Sequence, residues 1–554
     1  MKELIRTKRK LIDTVIIILV ASILAIPLLN SKLNVYQDDG IQHIARAYGT
    51  FLSLKSGNFL ANVIPTFTNN FGYSWNLFYG PISTWGITIF SFITQNFIVG
   101  YKIVCYISII LSGIFMYKFM FALMNNKDAS LLASILYMTF PYHLTDLYTR
   151  NAIGEFISFI FVPIVFLGLY NIFFNEDNPY YLAIGTIGLI LTHNLSTLMV
   201  GIFAFLYFVF NIKKLDKSSV KRELIINIII VLIITSFFWI PMVETKVTTS
   251  YQVYEKGAMA TSETVANCAL KIRQLFVTFD DGEFVFELGL HIIVMFAFSI
   301  MTIRRINEEF KGNYIFFIVA SILSLWMSTK YFPWKYLPES FCIIQFPWRF
   351  LELSAFFLSI VCSINMYAII KKFDYKDVCV ISLISIIYIC GFVGIIPEEE
   401  NMIDIKNLEL GKSSGREYET VAGVGKFEYL PTKAYNNKFY IATREDNTYV
   451  LTGKAIIENE EKQEGKYTAD FETLDAQYTI FELPYIYYPG YEVRLDGIIT
   501  EYFETENGFI GIAMGANDKE KITVQYKGTK LMNISCIISL ISTIGFIVFL
   551  KKKY

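Results

Sequence analysis

Charge is scarce in this sequence. Lys, Arg, Asp and Glu make up 18% of the 554 residues, where soluble chains run nearer a quarter. Hydrophobic residues make up 54%, and the mean hydropathy is +0.45. Such a composition cannot present water-facing surface on all sides, so a membrane protein is implied. Histidine is rarer still, with four residues. His43, His143 and His193 show no His-x-His or His-x3-His spacing, which speaks against a dedicated zinc site. The seven cysteines are scattered, and 397–528 has none, so a disulfide scaffold, a zinc finger or an Fe–S cluster is not expected. No Walker loop, no Gly-x-Gly-x-x-Gly and no Gly-x-Ser-x-Gly elbow occurs, which removes the usual support for ATP-driven pumping and serine hydrolysis. A net charge of −1 gives no reason to expect a nucleic-acid partner.

That near-neutrality conceals a separation along the chain. Residues 397–528 carry 25 acidic and 14 basic side chains, a net of −11, which leaves +10 on the apolar remainder. Lys2, Arg6, Lys8, Arg9 and Lys10 precede a first apolar run at 11–29, read as an uncleaved helix. Further basic clusters stand at Lys213–Arg222, Arg304–Lys311, Lys371–Lys376 and Lys551–Lys553. The positive-inside rule places all of these in the cytoplasm. An even number of crossings must then separate the N-terminus from Lys213. The run 82–97 is shorter than the ~20 residues needed to cross a bilayer, so it is assigned to a juxtamembrane or re-entrant outer helix; the rival solution keeps it as a span and fuses 180–211 into one helix. The rest gives about twelve transmembrane helices with both termini inside.

Three outer segments follow from this count: 30–81, 244–283 and 397–528. The last alternates apolar and polar residues at Tyr449–Thr452, Tyr467–Phe471, Tyr478–Phe481 and Ile522–Tyr526, with turn signals at Pro489-Gly490 and Asp496-Gly497. The expected fold is a polytopic α-helical membrane domain over 1–396, an extracellular β-sandwich over 397–528, and a final helix with a basic tail over 529–554. The localisation is the plasma membrane.

Ionisable groups near a membrane are costly unless they are paired or functional, so their positions are informative. In Tyr36–Arg46, Asp39, His43 and Arg46 recur at i, i+4 and i+7 and would share one face of a short helix. Asp38 or Asp39 could simply cap that helix, but a cap needs only one carboxylate. A second group is Asp146–Glu155, containing Arg150. A third is Leu191–Thr197, containing His193 and Asn194, and a fourth is Gln345–Phe350, containing Arg349. Singly, Arg150 and Arg349 read as headgroup anchors and His193 as a tie between helices. Together they set acids, imidazole and guanidinium groups at one membrane face.

In the order of its parts the chain resembles the GT-C superfamily of polyprenyl-phosphate-sugar-dependent glycosyltransferases. The shared order is a first helix, the acidic pair Asp38-Asp39, Phe78-Tyr79-Gly80-Pro81 before a juxtamembrane helix, and Glu155 after Arg150. More narrowly it resembles the YfhO-like and "6-pyruvoyl-tetrahydropterin synthase-related" bacterial membrane proteins. Those matching stretches are Asp146–Glu155, Thr192-His193-Asn194, Phe346–Arg349 and Tyr487–Tyr491. The zinc-binding histidine pattern of the soluble pterin synthases is absent. Gly80 also departs from the sugar transferases, which often have a second proline or a lysine there.

The resemblance implies an inverting glycosyltransferase that moves a sugar from a polyprenyl-phosphate donor to a cell-envelope glycan or polymer at the outer face. Asp38, Asp39 and Glu155 are the candidate catalytic carboxylates, and which of the first two is the base stays open. His43, Arg46, Arg150, His193, Asn194 and Arg349 are the candidate substrate-binding groups. A divalent cation such as Mg or Mn, held by Asp38, Asp39 and Glu155, is a possible cofactor. A lipid-linked glycan flippase and a non-catalytic envelope-assembly protein are the competing functions. The charges gather at one end of the spans rather than at mid-bilayer, which favours the enzyme.

Overall fold

The computed structural model describes residues 2–30, 32–34, 39–58, 61–175, 177–255, 260–276, 286–390, 402–403, 427–463, 465–474 and 478–553. Two compact units interleave along the chain. The first comprises Met1–Gly40, Phe90–Leu232 and Met259–Ile403, and the second Ile41–Ile89, Ile233–Ala258 and Asp404–Tyr554. The second unit therefore groups the segment after residue 40 with the C-terminal sheets, where the sequence suggested a sequential division.

The first unit is helical. Its antiparallel hairpin of Phe97–Met124 and Lys127–Met138 is set by two adjacent asparagines. Asn125 closes the first helix in the left-handed conformation, and Asn126 caps the second by accepting from the Ala129 amide at 2.9 Å. The expected span 129–147 is interrupted. Lys127–Met138 ends before Thr139-Phe140, and Pro141 begins a new helix to Tyr148, because proline is tolerated in the first turn but not in a helix interior. The runs 180–194 and 195–211 appear as Tyr181–Ile190 and Asn194–Phe210, parted at Leu191-Thr192-His193. Gly168 and Gly185 let Phe161–Tyr170 and Tyr181–Ile190 approach closely. A Cβ at Gly168 would lie 2.0 Å from the Leu182 amide.

Among the described residues five helices are long and apolar enough to cross a membrane: Phe97–Met124, Ile153–Asn175, Glu308–Ser328, Pro347–Ile369 and Lys530–Lys553. A sixth is reached if Ser218–Ile234 and Ser236–Thr248, bent by 67°, count as one. Several of the other expected spans form shorter helices, including Tyr181–Ile190 and Leu290–Thr302, and the run 82–97, expected as a juxtamembrane or re-entrant helix, forms Ile82–Thr94. The helices Ile153–Asn175 and Pro347–Ile369 are each 94% buried over their apolar windows, so they are the inner helices of this unit.

The second unit holds the β-structure. One sheet of four strands runs in the order Tyr449–Thr452, Thr479–Ile486, Phe509–Met514, Phe503–Glu504. The other has five, in the order Ala455–Gln463, Lys466–Thr473, Lys519–Tyr526, Tyr491–Leu495, Ile498–Thr500. All pairings are antiparallel. Asp496-Gly497 turns one hairpin with both residues at positive φ, the twist that two-residue hairpins favour. The sheets meet face to face, Phe471 of one stacking on Phe481 of the other at 4.4 Å. The earlier segment packs on the same unit. The Phe71 and Phe509 rings pack edge to face with centres 5.1 Å apart, and the Asn69 carboxamide donates to the Ile441 and Ala442 carbonyls at 3.0 Å.

Within this unit Arg444 and Glu482 are both fully buried, with Arg444 Nε 3.6 Å from Glu482 Oε1. Thr505, Tyr440 and Asn507 donate to the same carboxylate at 2.6, 2.8 and 3.0 Å. The Arg444 guanidinium lies 4.3 Å from the Phe509 ring centre. Removing one member of a buried pair strands the other charge. Glu482→Ala should therefore cost about 3–5 kcal/mol of stability, read by denaturant unfolding of the detergent-solubilised chain. A loss within the usual surface range of about 0.5 kcal/mol would show the pair to be dispensable.

Candidate functional site

Arg150 stands at the break between Pro141–Tyr148 and Ile153–Ser158, and the backbone there is tightly bound. The Arg150 and Ala152 amides donate to Thr145 and Asp146 carbonyls at 2.8 Å each, and Asn151 adopts a positive φ of 53°. The Asp39 amide donates to the Arg150 carbonyl at 3.1 Å, and Gly40 lies against Asn151, where a Cβ would come within 3.0 Å of the Asn151 side chain. The segment after the first helix is thus fastened to this corner by backbone.

The Arg150 guanidinium is completely buried. Nη1 donates to Asp146 Oδ1 at 2.7 Å and to Glu155 Oε2 at 3.0 Å, and lies 3.0 Å from the Tyr142 hydroxyl oxygen. Nη2 donates to Asp39 Oδ2 at 3.3 Å. Glu155 occupies the first turn of its helix, where a carboxylate is favoured. Its Oε1 accepts from the Tyr142 hydroxyl at 2.6 Å, and Arg349 Nε sits 3.4 Å from its Oε2. Three carboxylates and two guanidiniums from four chain segments therefore form one network.

Exposure divides this network. Asp146, Arg150 and Glu155 are at most 1% exposed, and Arg349 is 7%, whereas the Asp39 side chain is 30% exposed. Arg349 Nη1 donates to the Ile344 carbonyl and the Gln345 carboxamide, both at 3.2 Å, and the guanidinium lies 5.0 Å from the Phe346 ring centre. Its Nη2 makes no hydrogen bond among the described residues.

His193 has a different role. Its Nδ1 accepts from the Ser196 amide at 3.2 Å and so caps Asn194–Phe210, with the half-buried Asn194 as the first helical residue. The Ser196 hydroxyl lies 2.8 Å from the same nitrogen and donates to Glu352 Oε2 at 2.6 Å, and Ser158 donates to Glu352 Oε1. Glu352, fully buried, was not among the expected site residues. The signal was present: an acid three residues after Arg349, inside an apolar run.

Arg46 and His43 belong to the second unit. Arg46 Nε donates to Asn76 Oδ1 at 2.9 Å, and Nη2 donates to the Tyr79 and Gly80 carbonyls at 2.9 and 3.0 Å. Burial lowers its pKa to about 10, partly offset by Tyr79 and Tyr429. The His43 ring packs against Tyr79 with centres 5.4 Å apart. The helix itself starts at Gly40, so Asp39 precedes it rather than sharing its face. Asp38 lies outside the described residues.

A divalent cation fits this arrangement poorly. Both oxygens of Glu155 are already engaged by Tyr142 and the arginines, and Asp39 is turned to Arg150. Among the described residues no three His, Cys, Asp or Glu side chains are grouped to hold a metal.

Residues 77–398, more than half of the chain, match the family described as 6-pyruvoyl-tetrahydropterin synthase related domain, membrane protein. The chain belongs to this family. The matched stretch of this 6-pyruvoyl-tetrahydropterin synthase related protein includes Arg150, Glu155, His193, Arg349 and Glu352. An uncharacterized protein of Lactococcus lactis subsp. cremoris (strain MG1363) is 28% identical over 342 residues, 58% of this chain and 54% of that protein. The chain thus spans about half the length of the curated relative it matches. Among solved structures it is similar to the arabinofuranosyltransferase AftD from Mycobacteria, at 10% identity over 70% of this chain and 27% of that one, with a TM-score of 0.47. It is also similar to the Archaeoglobus fulgidus oligosaccharyltransferase, at 14% identity over 70% and 56% of the two chains, with a TM-score of 0.42.

The burial of Arg150 beneath three acids makes a definite prediction. Arg150→Gln should destabilise the protein by about 3–5 kcal/mol, seen as lost folded yield on size-exclusion chromatography in detergent. Asp146→Asn in the same chain removes one stranded charge and should recover part of that yield. A double variant no better folded than the single one would show the network to be mis-assigned.

Proposed function

We propose that the protein transfers a sugar from a polyprenyl-phosphate donor to a cell-envelope glycan at the outer face of the membrane, with inversion at the anomeric carbon. The observation that carries this reading is the graded exposure of the network. Asp39 reaches solvent and Arg349 keeps one guanidinium edge unbonded among the described residues, while Arg150 and Glu155 are buried between them.

A sugar phosphate ester of a lipid is already activated, so two tasks remain for the protein. Asp39 removes the proton from an acceptor hydroxyl, whose oxygen then attacks the anomeric carbon. The bond from that carbon to the phosphate oxygen breaks, and the lipid phosphate leaves with its electron pair. Arg349 suits the leaving group, since a guanidinium can donate two parallel charge-assisted hydrogen bonds to phosphate. Arg150 is a positioning residue in this scheme: it holds Asp39 and Glu155, and Glu155 in turn orients Arg349. Asp38, the neighbouring carboxylate, remains a candidate for the same base role.

Incubating the purified chain with radiolabelled polyprenyl-phosphate sugars tests the chemistry. General-base loss is typically worth about 10²–10⁴-fold, so Asp39→Asn should lower transfer by at least ~100-fold at normal abundance. Arg349→Lys should lower it while leaving the fold intact. Wild-type transfer by both variants sinks the assignment.

The membrane arrangement is part of the proposal: about twelve crossings, both termini cytoplasmic, and residues 397–528 outside. A cysteine replacing Ile498, which is 73% exposed, should react with an impermeant thiol reagent on intact cells in a background without the seven native cysteines. Labelling only after permeabilisation would reverse the orientation.

A further inference from the structure

A second feature lies wholly within the other unit. One end of the β-sandwich, with Ser56, Gly57, Asn58, Val63 and Pro65, borders a cleft of about 210 Å³. Tyr485, Tyr491 and Tyr526 form much of its wall, and Asn58, Gln525 and Lys527 also line it. The three rings pack on one another, Tyr485 to Tyr491 and Tyr491 to Tyr526 each with centres 5.2 Å apart.

The polar groups of this cleft are left with work to do. The Tyr485 hydroxyl is buried away from solvent and has no hydrogen-bond partner among the described residues, so this residue offers the cleft its ring. Tyr491 is 7% exposed, and among the described residues its hydroxyl makes no hydrogen bond; nor does the Gln525 carboxamide. Asn58 uses its Oδ1 to accept from the Ala61 amide at 3.2 Å, which leaves its NH₂ group as a donor. Tyr491, Gln525 and Asn58 therefore keep donors and acceptors at the cleft surface that a ligand entering it can meet. Tyr526 differs, its hydroxyl lying 3.6 Å from Met532 Sδ, so it contributes mainly its ring.

We propose that this cleft binds one saccharide unit. A sugar ring presents C–H faces that pack on aromatic rings and hydroxyl edges that pair with amides and phenols, the two kinds of surface found here. Among the described residues Lys527 is the single charged side chain that lines the cleft, which suits neutral and acidic sugars. The volume lies below the roughly 300–1,000 Å³ of drug-sized sites, which suits one residue of a chain that continues outward. Binding here is distinct from transfer at Asp39 and is measured without it.

The test uses the full chain in lipid nanodiscs and fluorescently labelled oligosaccharides ending in a hexose, an N-acetylhexosamine, a pentose or a uronic acid, followed by anisotropy. At least one probe should bind saturably, and Gln525→Ala and Tyr491→Phe should each weaken it at least tenfold with unchanged thermal unfolding. The sugar that binds is then presented on polyprenyl phosphate. Preference for the free glycan assigns the cleft to an envelope polymer, and preference for the lipid-linked form assigns it to the carrier; either upholds sugar binding. Failure of every probe to saturate at millimolar concentration, or affinity indifferent to both substitutions, overturns the proposal. Neither result bears on Asp39, whose variants are read by transfer alone.

Discussion

The first unit depends on one buried cation. Arg150 is enclosed among three carboxylates at a place where the chain changes direction, and neither sign of charge could be there without the other. Transfer of an unpaired ionised group into an apolar interior costs several kcal/mol even after relaxation. The pairing must therefore form whenever the unit forms, and it constrains four segments together: the stretch at Asp39 after the first helix, the short helix before Arg150, and the two inner helices that carry Glu155 and Arg349. Guanidinium suits this position better than ammonium because its planar fork addresses separate carboxylates in fixed directions. Asp39 and Asp146 are reached from different nitrogens of the same group.

This constraint separates support from chemistry. A side chain whose donors are consumed by buried partners cannot also meet a substrate without breaking them. Arg150 falls in that class, and so does Glu155, whose two oxygens are held by Tyr142, Arg150 and Arg349. Asp39 and Arg349 sit at the ends of the same network with part of their capacity unspent. Glu352 makes a second kind of case. It is as buried as Glu155 but is held by two serine hydroxyls. Ser158 also lies 3.0 Å from Ser196, so the two inner helices and the helix capped by His193 are tied by a polar thread through an apolar core.

Much of this was legible in residues alone, and the misses have physical causes. The alternation at Tyr449–Thr452, Tyr467–Phe471, Tyr478–Phe481 and Ile522–Tyr526 corresponds to strands, because a half-buried sheet imposes a period of two. Asp146, Arg150 and Glu155 stood out as charges in an apolar chain, and they do meet. Asp39, His43 and Arg46 were expected to share a face because helical periodicity was extended back across Asp39. Gly40 begins the helix, and Asp39 is drawn to a backbone and side-chain partner more than a hundred residues away, which local periodicity cannot foresee. Ser158 and Ser196 were invisible because serine is common in membrane helices and only a buried acid opposite gives it meaning.

Arg46 and Arg349 show why residue type and position are insufficient to name a binding group. Both are arginines beside aromatic residues, and both guanidiniums lie about 5 Å from an aromatic ring centre. Arg46 spends Nε on the Asn76 carboxamide and Nη2 on the Tyr79 and Gly80 carbonyls, which fixes the turn that leads into Pro81. Its charge is balanced by dipoles and it is almost completely buried, so an arriving phosphate would have to open the loop that covers it. Arg349 instead faces a full negative charge on Glu155 at one edge and retains Nη2 at the other. The difference lies in whether a carboxylate or only dipoles face each guanidinium, and that follows from tertiary partners that no single stretch of sequence displays.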